Sequence, residues 1–578
     1  MNRKMIDSFN MRKFIKSIGI LTAIAILGTG CEKIIEEPAP KGVLAEGLSS
    51  PEITEGLVTA AYHALSANVI NPANAFTGPV TNWVMDVRSD DAYTGGEGAA
   101  AVEYSGVPQM ERGVIFPSDP ESDGLHVPLS KWRNNVIGIA RVNRAISSIK
   151  ALEAEDYPKQ TRLGEMHLLR GHFHFLLKRD FNRIPFLTEE DNPSEVSNTE
   201  YTSEELWGLI EEDLLFAYEN LPGPGEIEDG RVNKYTAAAY LTKLYVQTEQ
   251  WQKAIEMANV VMSGPYSLLP EFEDLATIEG ENGPEVLFAI QFSRGNAQLN
   301  GAVFPNHNWS NLLNGPRGPY TGDGFYLASQ NLANVFRTSE EGLPLFDTFN
   351  NDIVTGADYT EPLDPRIDFT FGRIGIPWKD AGVFDETWIR NSTFFPEGRS
   401  GKKHILSPND PAINAPGTGP HAASGLNYIY IRYADVLLWK AEALIESGGS
   451  LEEARDLINQ VRSRAINSTY VQKLDGSGDA ANYVISTYDT PFPNQQYARE
   501  ALRTERRLEF AMEGHRYYDL VRWGIVEEVM DRYFEVEVER APHLEGEVLD
   551  FNGNQIYLPI PQEEIDLAPE LYSQIDGY

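Results

Sequence analysis

Apolar residues recur at intervals of three and four along two long blocks of the chain and lose that period between them. In the first block, residues 53–264, KWRNNVIGIARVNRAISSIKAL sets Trp132, Val136, Ile139, Val142 or Asn143, and Ile146 along one helical face. LGEMHLLRGHFHFLLKRDF does the same with Leu163, Met166, Leu169, Phe173 and Leu176 or Leu177. In YTSEELWGLIEEDLLFAYENLP, Thr202 and Glu205 form a capping-box pattern ahead of Leu206, Leu209 and Ile210, and Pro222 ends the helix.

Small residues then mark close helix contacts. YTAAAYLTKLYVQTEQWQKAIEMANVVMSGPY carries Ala238, Ala254 and Ala258, with Leu241, Tyr245 and Trp251 between them. This pattern resembles a tetratricopeptide repeat, in which two antiparallel helices press together at small residues. IRYADVLLWKAEALIESGGSLEEARDLINQVRSRA repeats it with Ala434, Leu437, Ala441, Leu444, a Gly448–Gly449 turn, Ala454, Ile458 and Val461. A long insert, residues 265–427, separates the two units. It is rich in Gly, Pro, Asn and aromatics and has no sustained period. It reads as long loops with a few short strands and helices, packed on the scaffold, which is where binding sites concentrate. Residues 86–124 join that surface. The predicted fold is mainly α: a tetratricopeptide-like helical scaffold at 51–264 and 428–578, with a loop-rich insert at 265–427. Trp132, Trp207, Trp251, Trp439 and Trp523 fall on predicted helices and are expected in the core.

Composition narrows the class. Of the 578 residues, 42% are hydrophobic and 11% aromatic, which excludes general disorder. A net charge of -37 opposes binding to nucleic acid or adsorption on an anionic membrane face. At the N-terminus, Arg12, Lys13 and Lys16 precede an apolar run at 18–27, too short to span a bilayer, then small residues and Cys31. Residues 1–30 read as a lipoprotein signal peptide, the only cysteine, Cys31, as the lipidated residue, and 31–50 as a tether to the body at 51–578.

The densest charge lies in LRTERRLEFAMEGHRYYDLVRWG. Glu505, Glu509 and Glu513 are spaced by four and form one carboxylate row on a helix, with Arg503, Arg506, Arg507, Arg516 and Arg522 nearby. This predicts a partly buried ion-pair network that locks the last helices together. The alternative is a glycosidase acid–base pair. Surrounding arginines would hold both acids ionised, which defeats the general acid. GxSxG, HExxH and Walker patterns are absent from the sequence. His172 and His174 sit two apart on a predicted helix, about 200° around it, so they cannot chelate one metal. Asp475, Ser477 and Asp479 look like the start of a calcium loop, but Ala480 and Ser486 stand where glycine and glutamate are needed, so a hairpin turn is expected. The sequence calls for no metal and no cofactor. A calcium ion held by backbone carbonyls would leave no mark in it.

RTERRLEFAMEGHRYYDLVRWG is similar to the C-terminal signature of the SusD/RagB family of Bacteroidetes surface lipoproteins. WRNNVIGIARVN at 132–143, GEMHLLRGHFHFLLKRDFNRIPFL at 164–187, DPR at 364–366, RYADVLLWKAEAL at 432–444, LPIP at 558–561 and QIDGY at 574–578 resemble further family segments in the family's order. Asn182 stands where the family has glycine. The resemblance implies a lipoprotein on the outer face of the outer membrane. It captures an oligosaccharide, or less often a peptide, and passes it to a SusC-like TonB-dependent barrel without catalysis. Sugars need an aromatic platform beside polar side chains. The candidates are Trp309 with Asn308, His307 and Asn306; Tyr320 with Arg317; Trp83 with Asp86 or Arg88; and Tyr93. Trp378 and Trp388 rank below them.

Overall fold

The computed structural model describes residues 50–66, 83–96, 106–118, 126–292, 296–299, 302–305, 314–320, 322–403, 405–411, 424–546, 548 and 551–578. Ten helices of twelve or more residues form the frame among them. They are α1 (Pro51–His63), α2 (Val127–Ala151), α3 (Lys159–Phe181), α4 (Ser203–Asn220), α5 (Lys234–Gln247), α6 (Trp251–Met262), α7 (Tyr433–Glu446), α8 (Leu451–Asn467), α9 (Gln495–Phe510) and α10 (Val526–Glu537). The mainly α, tetratricopeptide-like architecture agrees with the sequence reading.

Local chemistry sets the helix ends. Ser50 caps α1 by accepting from the Ile53 amide, and Thr202 and Glu205 form the expected capping box on α4. Helix α3 ends at Asn182, which takes φ 60°. That left-handed value favours glycine, and asparagine tolerates it better than most residues. The Lys178 ammonium donates to the Asn182 side chain and holds it there.

Successive helices pack as neighbours from α1 to α6, and α6 then packs directly on α7 across the insert. Ala238, Ala254, Ala258, Ala434, Ala441 and Ala454 are all fully buried in these contacts, as a close helix approach requires. Trp132 and Trp439 are in the core, whereas Trp207, Trp251 and Trp523 are only partly buried at its edge.

The insert leaves and returns through one clasp. Strand β2 (Val286–Ile290) pairs antiparallel with β7 (Tyr428–Arg432), aligning Val286 with Arg432 and Ile290 with Tyr428. Between them lie a hairpin of β3 (Asn296–Leu299) and β4 (Ala302–Pro305), and two of the three strands of a second sheet. That sheet joins β1 (Ala92–Gly95) to β5 (Phe325–Ala328) and β6 (Arg399–Ser400).

An ion-pair knot ties insert to frame, and its wiring differs from the expectation. Glu505 and Glu509 are fully buried on α9. Arg366, from the insert, donates to Glu505 at 2.6 Å and Glu509 at 3.1 Å while holding Asp364 in a fork. Arg432 reaches Glu285 at 2.9 Å, Glu509 at 2.5 Å and Glu513 at 3.0 Å. Arg462 pairs with Glu505 at 2.9 Å, and Arg464 with Glu509 and Glu285. The row is thus covered by distant arginines.

The arginines of the motif itself point elsewhere. Arg506 binds Asp519, Arg507 binds Asp90 and Asp91, Arg516 binds Asp90, and Arg522 binds Glu442 and Asp519. Arg503 has no carboxylate within 4 Å among the described residues and lies over the Trp523 ring at 4.9 Å. The reason is helical geometry: adjacent positions are turned about 100° apart, so neighbours of Glu505 cannot face the same way. Helix α9 also stops at Phe510, short of Glu513. Met512 (φ 64°) and Gly514 (φ 81°) turn the chain there, and Arg432 bridges the gap between Glu509 and Glu513.

Burial acts to raise the Glu509 carboxyl, yet Arg464, Arg432 and Arg366 together hold it well below its ordinary 4.5. Removing one member of such a buried set strands the others. Glu509→Gln is expected to lower unfolding free energy by about 3–5 kcal/mol in urea titration. Below pH 4.5 the unfolded chain binds a proton at Glu509 that the folded chain does not, so this contribution fades as pH falls. Stability of the Gln variant should therefore depend less on pH in that acid range.

Candidate functional site

The insert carries an aromatic cluster that grades from interior to surface. Trp378 is fully buried and donates its indole N–H to the Tyr320 hydroxyl at 2.8 Å. The Tyr320 hydroxyl donates in turn to the Leu406 carbonyl at 3.0 Å. Phe384 stacks on Trp378 at 5.4 Å, and Trp388 meets both edge-on at 6.2 and 5.5 Å. Trp388 alone of the four is half-buried. It ends a short turn, Glu386–Trp388, set by the Asp385 carboxylate accepting from the Thr387 amide at 2.9 Å.

Polar groups frame this edge. Arg317 is exposed at the start of the short helix Arg317–Tyr320. Next to it Gly318 departs from helical geometry (φ -45°, ψ -105°) so that the backbone lies against the Trp388 ring, where a Cβ would come within 2.5 Å. Arg390 pairs with Asp323 at 3.2 Å, and Asn409 donates to Asp380 at 2.8 Å. Such an edge can offer a partly open indole to an apolar ring face and charged or amide groups to hydroxyls.

The structure brings Tyr320 and Arg317 together but sends them opposite ways. Tyr320 is 3% exposed, so it supports the platform and does not form it. Asp86 and Tyr93 are also interior, contrary to the sequence reading. Asp86 accepts from the Tyr326 hydroxyl at 2.5 Å and the Gly514 amide at 2.8 Å, and burial, with the charge of Asp91, pushes its carboxyl up to about 8. Tyr93 donates to Glu537 at 2.5 Å, accepts from the Gln330 amide at 3.0 Å, and meets the His543 ring edge-on. Arg88, the other polar candidate beside Trp83, is buried over the Tyr517 ring at 4.9 Å. Trp83 opens the short helix Trp83–Val87. Trp309, Asn308, His307, Asn306 and Cys31 lie outside the described residues.

Two other motifs resolve structurally. His172 and His174 are fully buried; His172 meets the Tyr240 hydroxyl at 2.5 Å, and His174 accepts from the Leu187 amide at 3.1 Å. Residues 472–479 form a tight hairpin in which Asp475 accepts from the Ser477 amide at 2.9 Å.

A family profile described as "SusD family" matches residues 284–578, and one described as "Starch-binding associating with outer membrane" matches 119–246. SusD-like protein P25 of Formosa agariphila is 25% identical over 463 residues, spanning 76% of this chain and 77% of that protein. A SusD-like protein of Bacteroides ovatus is 23% identical over 542 residues, spanning 89% and 83%. A solved laminarin-binding SusD-like protein aligns with a TM-score of 0.64 at 22% identity, over 92% of this chain and 100% of that one. Surface glycan-binding protein A from Bacteroides thetaiotaomicron, in complex with laminarihexaose, aligns at 0.64 and 19% identity, over 91% and 99%.

The two tryptophans should separate cleanly in stability. Trp378→Ala is expected to cost about 3–5 kcal/mol in chemical denaturation, as for a fully enclosed large side chain. Trp388→Ala should cost about 1–2 kcal/mol, in keeping with its partial burial.

Proposed function

The chain belongs to the SusD family, and from that premise we propose that it captures glycans at the cell surface without cleaving them. Cys31 anchors it to the outer membrane by acylation, and it hands its ligand to a SusC-like TonB-dependent barrel. Several acyl chains on one residue hold a protein on a bilayer far better than one does. Among the described residues, no helix is long and apolar enough to cross a membrane. The named ligands of two structural neighbours, laminarin and laminarihexaose, make a β-glucan the first glycan to try.

The observation that carries this reading is Trp388. It is a half-buried indole on an aromatic stack, with Arg317 beside it and Trp309 and Asn308 a few residues before Arg317 in the sequence. Stacking plus hydrogen bonds gives modest affinity and fast release, which suits hand-over. The carboxylate row supports binding over hydrolysis. Glu505 and Glu509 are enclosed and paired with arginines, and among the described residues no sugar-sized cleft opens onto them. A glycosidase needs one carboxyl held protonated and both facing the substrate.

Affinity electrophoresis and calorimetry against a polysaccharide panel, with a reducing-end assay on the same samples, test the proposal. Trp388→Ala should weaken binding at least about tenfold, equivalent to about 1.4 kcal/mol. Trp309→Ala should also weaken it. Unchanged affinity in the Trp388 variant would remove that residue from the site, and release of reducing ends would overturn binding without cleavage.

A further inference from the structure

Near Trp378, whose ring the Lys402 ammonium overlies at 5.4 Å, lies a narrow pocket with an unusual charge count. Among the described residues, Lys379, Lys402, Lys403 and Arg432 line it, against two carboxylates, Glu273 and Glu513. The chain as a whole carries -37, so a locally cationic hollow needs a cause. Some of the positive charge is already answered. Arg432 is bound to Glu285, Glu509 and Glu513, and Lys403 to Glu513 at 2.7 Å.

Two ammonium groups are left under-compensated. Lys402 is 4% exposed and donates to the carbonyls of Asp368 at 2.5 Å and Pro377 at 3.2 Å. Among the described residues it has no carboxylate within 4 Å. The Lys379 side chain is 7% exposed; its one carboxylate within 4 Å among the described residues is Glu273, 3.8 Å away and itself half open to solvent, with Asp380 and Asp410 acting on it from farther off. The two lysines also repel each other. Burying like charges side by side is costly unless an anion joins them. The remaining walls are apolar, with the rings of Phe272 and Phe369 in contact at 6.1 Å. The hollow has a volume of about 20 Å³, room for one water-sized group such as a single carboxylate oxygen, with the rest of a ligand left outside.

We propose that this pocket is a carboxylate site, in which Lys379 and Lys402 receive one carboxylate and the touching rings of Phe272 and Phe369 form one apolar wall beside the group that bears it. Entry of the carboxylate displaces Lys379 from its long contact with Glu273. Burial, more than any neighbour, draws the Lys402 ammonium down to about 8, and Lys379 falls for the same main reason. A bound carboxylate reverses that drift. The carrier could be a free small acid or an acidic sugar, and the chemistry of recognition is the same for both. The site rests on its own lining and is independent of the role given to Trp388.

Calorimetry and thermal unfolding of the whole protein at constant ionic strength decide the matter, with sodium acetate, sodium glucuronate and glucose as probes. Acetate and glucuronate should both bind at about pH 6.5 and raise Tm, whereas glucose should do neither at this site. Equal affinity for the two acids would mean that the carboxylate alone is read; tighter glucuronate, by about tenfold, would mean that the sugar body adds contacts. Lys379→Gln should fold normally and lose at least about tenfold in affinity for either acid. Lys402→Met should abolish binding, and if it fails to fold the Lys379 variant still decides. Affinity should fall above about pH 8 as Lys402 loses its proton. Failure of both acids to bind, or binding unchanged by Lys379→Gln, would overturn the proposal, whatever becomes of glycan binding at Trp388.

Discussion

The fold depends on one buried carboxylate that three guanidinium groups share. Glu509 accepts from Arg366, Arg432 and Arg464, and each arginine arrives from a different part of the chain. Taking that many charges out of water costs several kcal/mol per ion, and only near-complete pairing offsets it. The guanidinium fork makes such pairing possible, since it can engage two acids at once and does not give up its proton. The set is therefore all-or-none. Arg366 belongs to the insert, Arg432 to the clasp strand and Arg464 to α8, so closing the knot fixes the loop-rich face relative to the helices in one step. A hydrophobic junction of the same area would tolerate sliding, whereas matched forks and carboxylates specify a single register.

The clasp works on the same joint. Strands β2 and β7 bring the two ends of the insert together and deliver Glu285 and Arg432 to the knot side by side. From the scaffold's side, α6 meets α7 as if the intervening residues were absent. The helical stack stays rigid while more than a hundred residues are free to become irregular. That is the division of labour expected where loops bind and a frame positions them. It also explains why the aromatic edge ends at Trp388. Trp378 and Tyr320 spend their polar atoms on each other and on the Leu406 carbonyl, which steadies the outermost ring.

What the sequence made legible follows the range of each interaction. Helices α2, α3 and α4, the capping box at Thr202 and Glu205, and the small-residue contacts of the two repeat units depend on positions a few residues apart, and all could be read from spacing. The carboxylate row at Glu505 and Glu509 was visible for the same reason. Its partners were not, because nothing local to α9 says that Arg366 or Arg462 will arrive, although DPR and RYAD had already stood out as motifs. The same limit applies to the site residues. Tyr320 and Arg317 are three apart on a short turn, and which one faces solvent is decided by the kink at Gly318 and by Trp378, 58 residues on. Asp86 and Tyr93 looked like loop polar and aromatic groups, but pairing of β1 with β5 carries them inside. Lys379, Lys402 and Lys403 carry no local pattern that marks them, and only the fold collects them around one hollow.

The distribution of charge separates two kinds of ionisable group in this protein. Glu509, at the centre of the knot, is held ionised by three nearby guanidinium groups, so it cannot shuttle protons at neutral pH. Asp86 and Lys402 lie at the other extreme, where burial outweighs pairing and moves each toward neutrality. Asp86 has settled that conflict internally, with Tyr326 and Gly514 as donors. Lys402 has not, because its carbonyl partners satisfy its hydrogens without answering its charge. A buried hydrogen-bonding group can be complete in geometry and still unbalanced in electrostatics, and it is the imbalance that leaves room for an anion. The knot and the lysine pocket share Arg432 and Glu513, so the element that fixes the insert in place also sets the field that a carboxylate would meet there.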